Sequence, residues 1–317
     1  MKVAVVGAGN IGGKHIGILA EEPGVEIVGI VSPSPERVAA AARQWNVRAY
    51  ASHDELLARE QPDAVWVCVP PWAHGPVEVA LIERRIPFFV EKPLSADRDT
   101  AERIAQSVNG NGLVTAVGYH WRAMDTMAEV RYTLAANPAR MVLGAWLDAT
   151  PPPQWWRHRD TSGGQVVEQA THLFDAARYL VGEARVISAT ATRYGQAAYP
   201  DSDVADASAA LLRFDNGATG VFTATCLLGG LAAQYVQIVC ERLLITVTRK
   251  GVTYDTGDSV REVPLGNDPF VAEDRAFIEA VRRGDTAPVP CTYADALLTH
   301  RLCFDVAEAG ELAASGP

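Results

Sequence analysis

The chain has 317 residues, 48% of them hydrophobic, which supplies sizeable cores and about two domains, since single cores stop growing near roughly 250–300 residues. With 38 acidic against 28 basic side chains the net charge is −10, which argues against a nucleic-acid backbone or an anionic membrane as partner. No segment approaches eighteen consecutive apolar residues and the N-terminus starts as a strand without a leader pattern, so a soluble, cytoplasmic protein is expected.

In chain order, Val3 to Val6 is a short apolar run of the kind a buried parallel strand shows, followed by Gly7-Ala8-Gly9-Asn10-Ile11-Gly12 and an amphipathic stretch at helical spacing (Ile11, His15, Ile16, Ile18, Leu19). Val25–Val31 reads as a strand, Glu36–Trp45 as a helix and Ala64–Val69 as a strand. Pro76–Arg85 is helical, Pro87–Val90 a strand, Thr100–Val108 a helix and Leu113–Val117 a strand. This alternation predicts βαβ units and a doubly wound parallel sheet. From Met124 the texture changes. A helix (Met124–Leu134) and a strand (Met141–Asp148) lead to the aromatic, proline-rich loop Pro151–Trp156, then a second strong helix. Ala184–Tyr194, Ala207–Phe214, Gly220–Thr225, Gln234–Cys240 and Leu243–Thr248 follow as strands without crossover helices, with Asp215-Asn216-Gly217 marking a turn. Such a succession predicts a mainly antiparallel sheet. Asp274–Arg283 and Ala294–Leu312 close the chain as helices. The fold class is therefore α/β: residues 1–121 form a doubly wound parallel sheet, and residues 122–317 an α+β domain on a mainly antiparallel open sheet. The closing helix 294–312 is able to pack back on the first domain. Cys68, Cys226, Cys240, Cys291 and Cys303 are odd in number and scattered, which fits reduced thiols.

A strand, a glycine turn and a helix are the context that a dinucleotide fingerprint needs. Gly7 allows the tight turn, Gly9 lets the backbone approach a pyrophosphate, and Gly12 lets the helix pack closely on the strand. Glu91-Lys92-Pro93 sits at the carboxyl end of the strand that ends at Val90, where open α/β sheets bind ligands. A lysine there can donate to a substrate oxygen and stabilise partial negative charge as an alcohol becomes a carbonyl; the bland alternative is a lysine snorkelling to solvent. On the second strong helix, Val166, Ala170, Leu173, Phe174, Ala177 and Val181 form a core face, while Glu168, His172, Asp175 and Tyr179 share another stripe at +4, +3 and +4. A histidine one turn from a carboxylate suits a general acid/base; an exposed ion pair would look the same. Tyr119, Trp121, Arg122, Trp155, Trp156 and Arg157 are dense in rings and guanidinium groups, fit for stacking on sugar faces and donating to hydroxyls, or for a core cluster or subunit contact. His53, His74, His158 and His300 are read as having no carboxylate or cysteine at ligand spacing, so no metal is expected.

Taken together, the glycine motif with His15, Val69-Pro70-Pro71 with His74, Glu91-Lys92-Pro93, Gly118-Tyr119 with Arg122, and Ser162-Gly163-Gly164 through Glu168 and His172 to Asp175 resemble the Gfo/Idh/MocA oxidoreductases. The resemblance implies a Rossmann domain followed by an α/β domain whose open sheet forms subunit contacts. It further implies hydride exchange between a nicotinamide and a sugar, cyclitol or related polyol. Relatives that hydrolyse glycosides with a bound nicotinamide, or that only sense ligands, are the alternatives. It casts Lys92 and His172 as catalytic, with Glu168 standing where an aspartate is usual and orienting His172 or touching substrate. Gln165 and Ala170 depart from two glycines of the pattern. Cofactor contacts are implied for Gly7, Gly9, Asn10, Ile11, Gly12, Pro70, His74, Glu91 and Lys92, and substrate contact for Asp175. Alignment through Pro35-Glu36-Arg37 puts Ser32 at the position where NAD sites carry an acid. Loss of that carboxylate, with Ser34 and Arg37 nearby, points to NADP, with NAD as the alternative. Ser34 also reads as the N-cap of a helix starting at Pro35. A homodimer or homotetramer is expected.

Overall fold

The computed structural model describes residues 1–314; the last three residues of the expected second domain, 315–317, lie outside the described residues. The chain divides into two compact units. The first comprises Met1–Ser95, Asp99–His120 and Phe270–Leu297; the second comprises Ala96–Arg98, Trp121–Pro269 and the chain from Leu298 onward. The first unit thus takes back a long C-terminal stretch that the sequence boundary at 121 leaves with the second domain.

The first unit is built on strands β1 (Lys2–Val6), β2 (Glu26–Val31), β3 (Ala49–Tyr50), β4 (Ala64–Val67), β5 (Phe88–Val90) and β6 (Thr115–Val117). They run parallel in the order β3-β2-β1-β4-β5-β6. The apolar runs are the cause: β4 and β5 are buried at every position, as strands covered on both faces must be. One face packs Leu56, Leu81, Phe88, Ile104 and Tyr293; the other packs Ile16, Leu19, Trp66, Phe89, Phe277 and Ile278. Reading for long periodic segments passes over β3 and the helix His53–Glu60, which are too short and too polar to stand out.

The second unit holds β7 (Met141–Leu147), β8 (Ala184–Thr192), β9 (Ala207–Phe214), β10 (Thr219–Thr225), β11 (Ala233–Cys240), β12 (Leu243–Thr248), β13 (Gly251–Asp255) and β14 (Val260–Pro264). Their order is β14-β13-β12-β11-β7-β10-β9-β8, antiparallel throughout except for the β7–β10 pair. Here burial alternates: Gly220, Phe222 and Ala224 point inward, and Val221 and Thr223 outward. The helix Thr171–Val181 covers the inner face, with Phe174 stacked on Phe222 at 4.7 Å. Register places Leu211, Val221, Leu143, Gln237 and Thr246 side by side across the outer face, with Val221 37% exposed. The helix expected over Val166–Val181 is two helices, Gln165–Glu168 and Thr171–Val181, broken at Gln169–Ala170 where Ala170 N bonds back five residues to Gln165 O. The apolar period runs across the break, so periodicity alone does not reveal it. Among the described residues, no helix is long and apolar enough to cross a membrane.

Candidate active site

The glycine loop follows β1. Gly7 has φ +109°, and a Cβ on it would lie 2.1 Å from the Cys68 carbonyl oxygen. A Cβ on Gly12 would lie 1.9 Å from the Gly7 oxygen, so helix and turn meet without room for a side chain. Gly9 differs: nothing lies within 4 Å of the Cβ it lacks, so its omission leaves space for a ligand and not for the protein. Gly9 is also the N-cap of the helix Asn10–Glu21 and offers no side-chain cap, so the first-turn N–H groups at Asn10 and Ile11 keep the geometry of an anion site. Past β2, Ser34 N–H donates to Ser32 Oγ at 3.4 Å and Ser34 Oγ accepts from Arg37 N–H at 3.3 Å. Ser34 is therefore the N-cap of Pro35–Trp45, and the Arg37 side chain is exposed.

After β4 the chain turns through Pro70 and Pro71 to His74. His74 Nδ1 pairs with Glu78 Oε1 at 2.6 Å, and Glu78 Oε2 accepts from Gly75 N–H at 2.7 Å. His74 Nε2 is buried and makes no hydrogen bond. That orphaned ring nitrogen and the space at Gly9 both fit a bound dinucleotide, to which a buried polar nitrogen could bond. The pair also corrects the sequence reading, which gave His74 no carboxylate partner: Glu78 stands one turn along. His53 and His158 likewise have Asp54 and Asp201 at 3.8 and 3.7 Å.

At the carboxyl end of β5, Glu91 is buried and Lys92 half-buried, and the Lys92–Pro93 bond is cis. Glu91 belongs to a cluster that the sequence reading missed. His15, fully buried, has Nδ1 2.9 Å from both oxygens of Asp274 and Nε2 3.1 Å from Glu91 Oε1. Burial pulls the imidazolium down, but the Asp274 and Glu91 carboxylates outweigh it and hold His15 up at about 10. Glu273 is buried beside them with Oε1 unbonded; burial, reinforced by Glu91 and Asp274, pushes its carboxyl well above the usual range. His15, Glu91 and Glu273 bring one potential ligand atom each within 4.8 Å of one another. Both His15 nitrogens face carboxylates, Asp274 on one side and Glu91 on the other, which accounts for the ring's place in the trio. The sequence does carry a signal for it: Glu273 and Asp274 lie with Phe277 and Ile278 on the apolar face of Pro269–Arg283, where acids are out of place.

On the second unit, His172 opens the helix Thr171–Val181, nearly buried, with its ring stacked on Trp146 at 5.8 Å. Glu168 ends the preceding short helix and accepts from Trp156 Nε1 at 2.6 Å. Arg122 and Asp175 bind each other through two hydrogen bonds of 2.8 and 2.7 Å, both side chains buried, and Thr299 donates to the same carboxylate at 2.8 Å. Trp121 and Trp156 are core residues of this unit and Tyr119 of the first, each 1% exposed. Of the aromatic and guanidinium set, Trp155 and Arg157 keep some surface, with Arg157 over the Tyr199 ring at 4.7 Å and 3.5 Å from Asp201.

A parallel sheet in this strand order with a glycine loop open at Gly9 defines a dinucleotide-binding Rossmann domain, here with a lysine at the carboxyl end of β5. Residues 1–119 match the model of the Gfo/Idh/MocA oxidoreductase family with its NAD-binding Rossmann fold, and residues 138–246 match that family's C-terminal domain. The chain belongs to this family. It is 24% identical over 305 residues to scyllo-inositol 2-dehydrogenase (NAD(+)) of Bacillus subtilis (strain 168), covering 90% of this chain and 87% of that one. Its fold matches a levoglucosan dehydrogenase solved with NADH at a TM-score of 0.88 and 20% identity, over 99% of this chain and 97% of the other. A 3-ketoreductase from Actinomadura kijaniata, solved with NADP and TDP-benzene, matches at 0.85 and 20%, over 98% and 97%.

Proposed function

We propose that this enzyme exchanges a hydride between a nicotinamide dinucleotide and a hydroxyl or carbonyl carbon of a sugar, cyclitol or related polyol. The observation that carries the reading is the open Gly9 loop together with Lys92 at the carboxyl end of β5. When bound, the nicotinamide supplies the redox chemistry at the substrate carbon. Gly7, Gly9, Asn10, Ile11 and Gly12 form the pyrophosphate seat, and Pro70, His74 and Glu91 line the path toward the reacting end. Lys92 donates to the reacting oxygen and stabilises its developing charge. His172 takes the hydroxyl proton or returns it, and Glu168 assists as a positioning or substrate group. Trp155 and Arg157 are assigned to the substrate; Asp175 and Arg122 serve by fixing one another. The relatives named for inositol and levoglucosan support the polyol class.

NADP is the preferred cofactor in this reading, because Ser32 stands where a carboxylate would repel a 2′-phosphate and the Arg37 side chain is exposed. The outer face of the second unit's sheet, with Leu143, Leu211 and Val221, joins protomers into a dimer or tetramer. A cytoplasmic enzyme is part of this reading, supported by five scattered cysteines that form no disulfide among the described residues. The test is a panel of inositols, sugars and anhydrosugars with NAD and NADP, following nicotinamide absorbance, on the natural protein and on Ser32→Asp. Polyol-dependent reduction, faster with NADP and reversed by Ser32→Asp, supports the reading. Preference for NAD in the natural protein defeats the NADP assignment, and release of sugar without net reduction defeats the dehydrogenase.

A further inference from the structure

We infer that His15 is a positioning residue for Lys92, acting through Glu91. The inference rests on the reading of Lys92 as catalytic. His15 lies on the helix whose N-terminus carries the glycine loop, and Glu91 immediately precedes the lysine. One oxygen of Glu91 accepts from His15 Nε2 at 3.1 Å, and the other accepts from the Lys92 backbone N–H at 3.2 Å. On the far side of the ring, Asp274 takes Nδ1 with both oxygens at 2.9 Å and is itself held by Trp66 Nε1 at 2.8 Å. Trp66, His15 and Asp274 come from three separate elements and Glu91 from the turn after β5, and all but Glu91 are completely buried. Gly118 leaves room for the arrangement, since a Cβ there would lie 2.6 Å from Glu91 Oε1.

The chain of bonds has a direction. Asp274 and Trp66 set the imidazole plane, the imidazole sets the Glu91 carboxylate, and the carboxylate fixes the peptide from which the Lys92 side chain departs. A buried carboxylate with no cation beside it takes up a proton or turns toward water. Without His15, Glu91 therefore loses the constraint that keeps Oε2 on the Lys92 amide. Displacing a reacting group by about 1 Å can cost about 100-fold in rate, so the ring can matter without meeting substrate. Its neighbours follow the same logic: Glu273, on the other side of the cluster, faces Glu91, Asp274, His15 and Lys14.

The experiment compares the natural protein, His15→Gln, Glu91→Gln and Lys92→Ala with NAD as probe. Three quantities are read: hydrogen exchange at the Lys92 amide, the NAD dissociation constant, and kcat on the polyol that the panel identifies. His15→Gln and Glu91→Gln are expected to speed Lys92 amide exchange at least tenfold and lower kcat about 10- to 100-fold, and His15→Gln to change NAD binding less than twofold. General damage to this unit would weaken NAD binding as well, because His15 shares its helix with the glycine loop. If His15→Gln does not fold, Glu91→Gln carries the test, since it leaves the His15–Asp274 pair in place. Unchanged exchange at Lys92 in a folded variant overturns the inference, and this arm needs no substrate. If Lys92→Ala keeps normal turnover, the catalytic reading of Lys92 fails, while the exchange result still decides whether His15 orders that peptide.

Discussion

The two sheets solve burial in opposite ways. In the first unit both faces are covered, β4 is buried at all four positions, and the polar groups inside must satisfy one another, as His15, Asp274, Glu91 and Trp66 do. In the second unit the helix covers the inner face, so β10 alternates, and the row Leu211–Val221–Leu143 lies on the outer face. The doubly covered sheet gains a fixed frame for a nucleotide. The singly covered one leaves a broad outer face, the one proposed above for assembly, and its inner helix carries His172 and the Asp175 partner of Arg122.

The largest expected effect sets one residue from each unit against the other. Lys92→Ala and His172→Ala should each lower kcat by about 10²–10⁴-fold, with the double variant losing much less than the product if both serve one oxygen. Steady-state kinetics decides this, and near-normal turnover by His172→Ala would send the acid/base role to Tyr119 or Tyr179. Next comes the buried ion pair. Arg122→Ala strands the Asp175 carboxylate in the core and should cost roughly 3–5 kcal/mol in denaturant unfolding. A loss below about 1 kcal/mol would mean that water reaches Asp175 and that its burial is shallower than the structure shows.

A smaller effect on folding, with a large one on assembly, is expected at the outer face. Val221→Lys should change protomer stability by no more than about 0.5 kcal/mol, as for other exposed sites, yet light scattering should show smaller particles. Unaltered particle mass would remove that face from the subunit contact.

The smallest effect is expected at Glu273, which shares its buried cluster with His15. His15, raised from 6.5 to about 10, lends stability that is complete below about pH 6.5 and lost as pH rises through about 10. Glu273 works with the opposite balance. The fold favours its protonated form more than the unfolded chain does, so it costs stability as pH rises past its ordinary 4.5. Glu273→Gln should therefore leave the melting temperature unchanged at pH 4 and raise it modestly at pH 8. A lower melting temperature at both would show that the carboxyl makes a bond that the amide cannot replace.

Much of this was legible in the residues. The apolar runs Val3–Val6 and Ala64–Val67 point to the parallel strands, and the succession of strand segments from Ala184 onward without crossover helices points to the open sheet. Two polar strands, β13 and β14, were not seen, because Gly251-Val-Thr-Tyr-Asp255 and Val260-Arg-Glu-Val-Pro264 carry too little apolar pattern at the sheet edge. Among the site residues, Gly7, Gly9 and Gly12 could be assigned from spacing, since their roles are local. The break at Gln169–Ala170 could not, because it is a matter of one backbone bond and not of side-chain period. His15 looked like one more residue on an amphipathic face, since its partners stand 76 and 259 positions away. The aromatic cluster was ambiguous for a different reason: rings such as Trp121 and Trp156 serve a core as well as a sugar, and composition does not tell the two apart.

The return of Pro269–Arg283 to the first unit bears on how the protein is made. Phe277 and Ile278 close one face of the nucleotide sheet, and Asp274 supplies the carboxylate that His15 needs inside it. The ribosome releases the glycine loop well before these residues, which emerge only after the entire second sheet has been synthesised. Until then Trp66 and Phe89 have no aromatic partner in Phe277, and His15 faces Glu91 alone. The part of the chain that leaves the ribosome first is thus completed almost last, and a nascent chain stalled before residue 270 should expose an apolar surface to which chaperones bind.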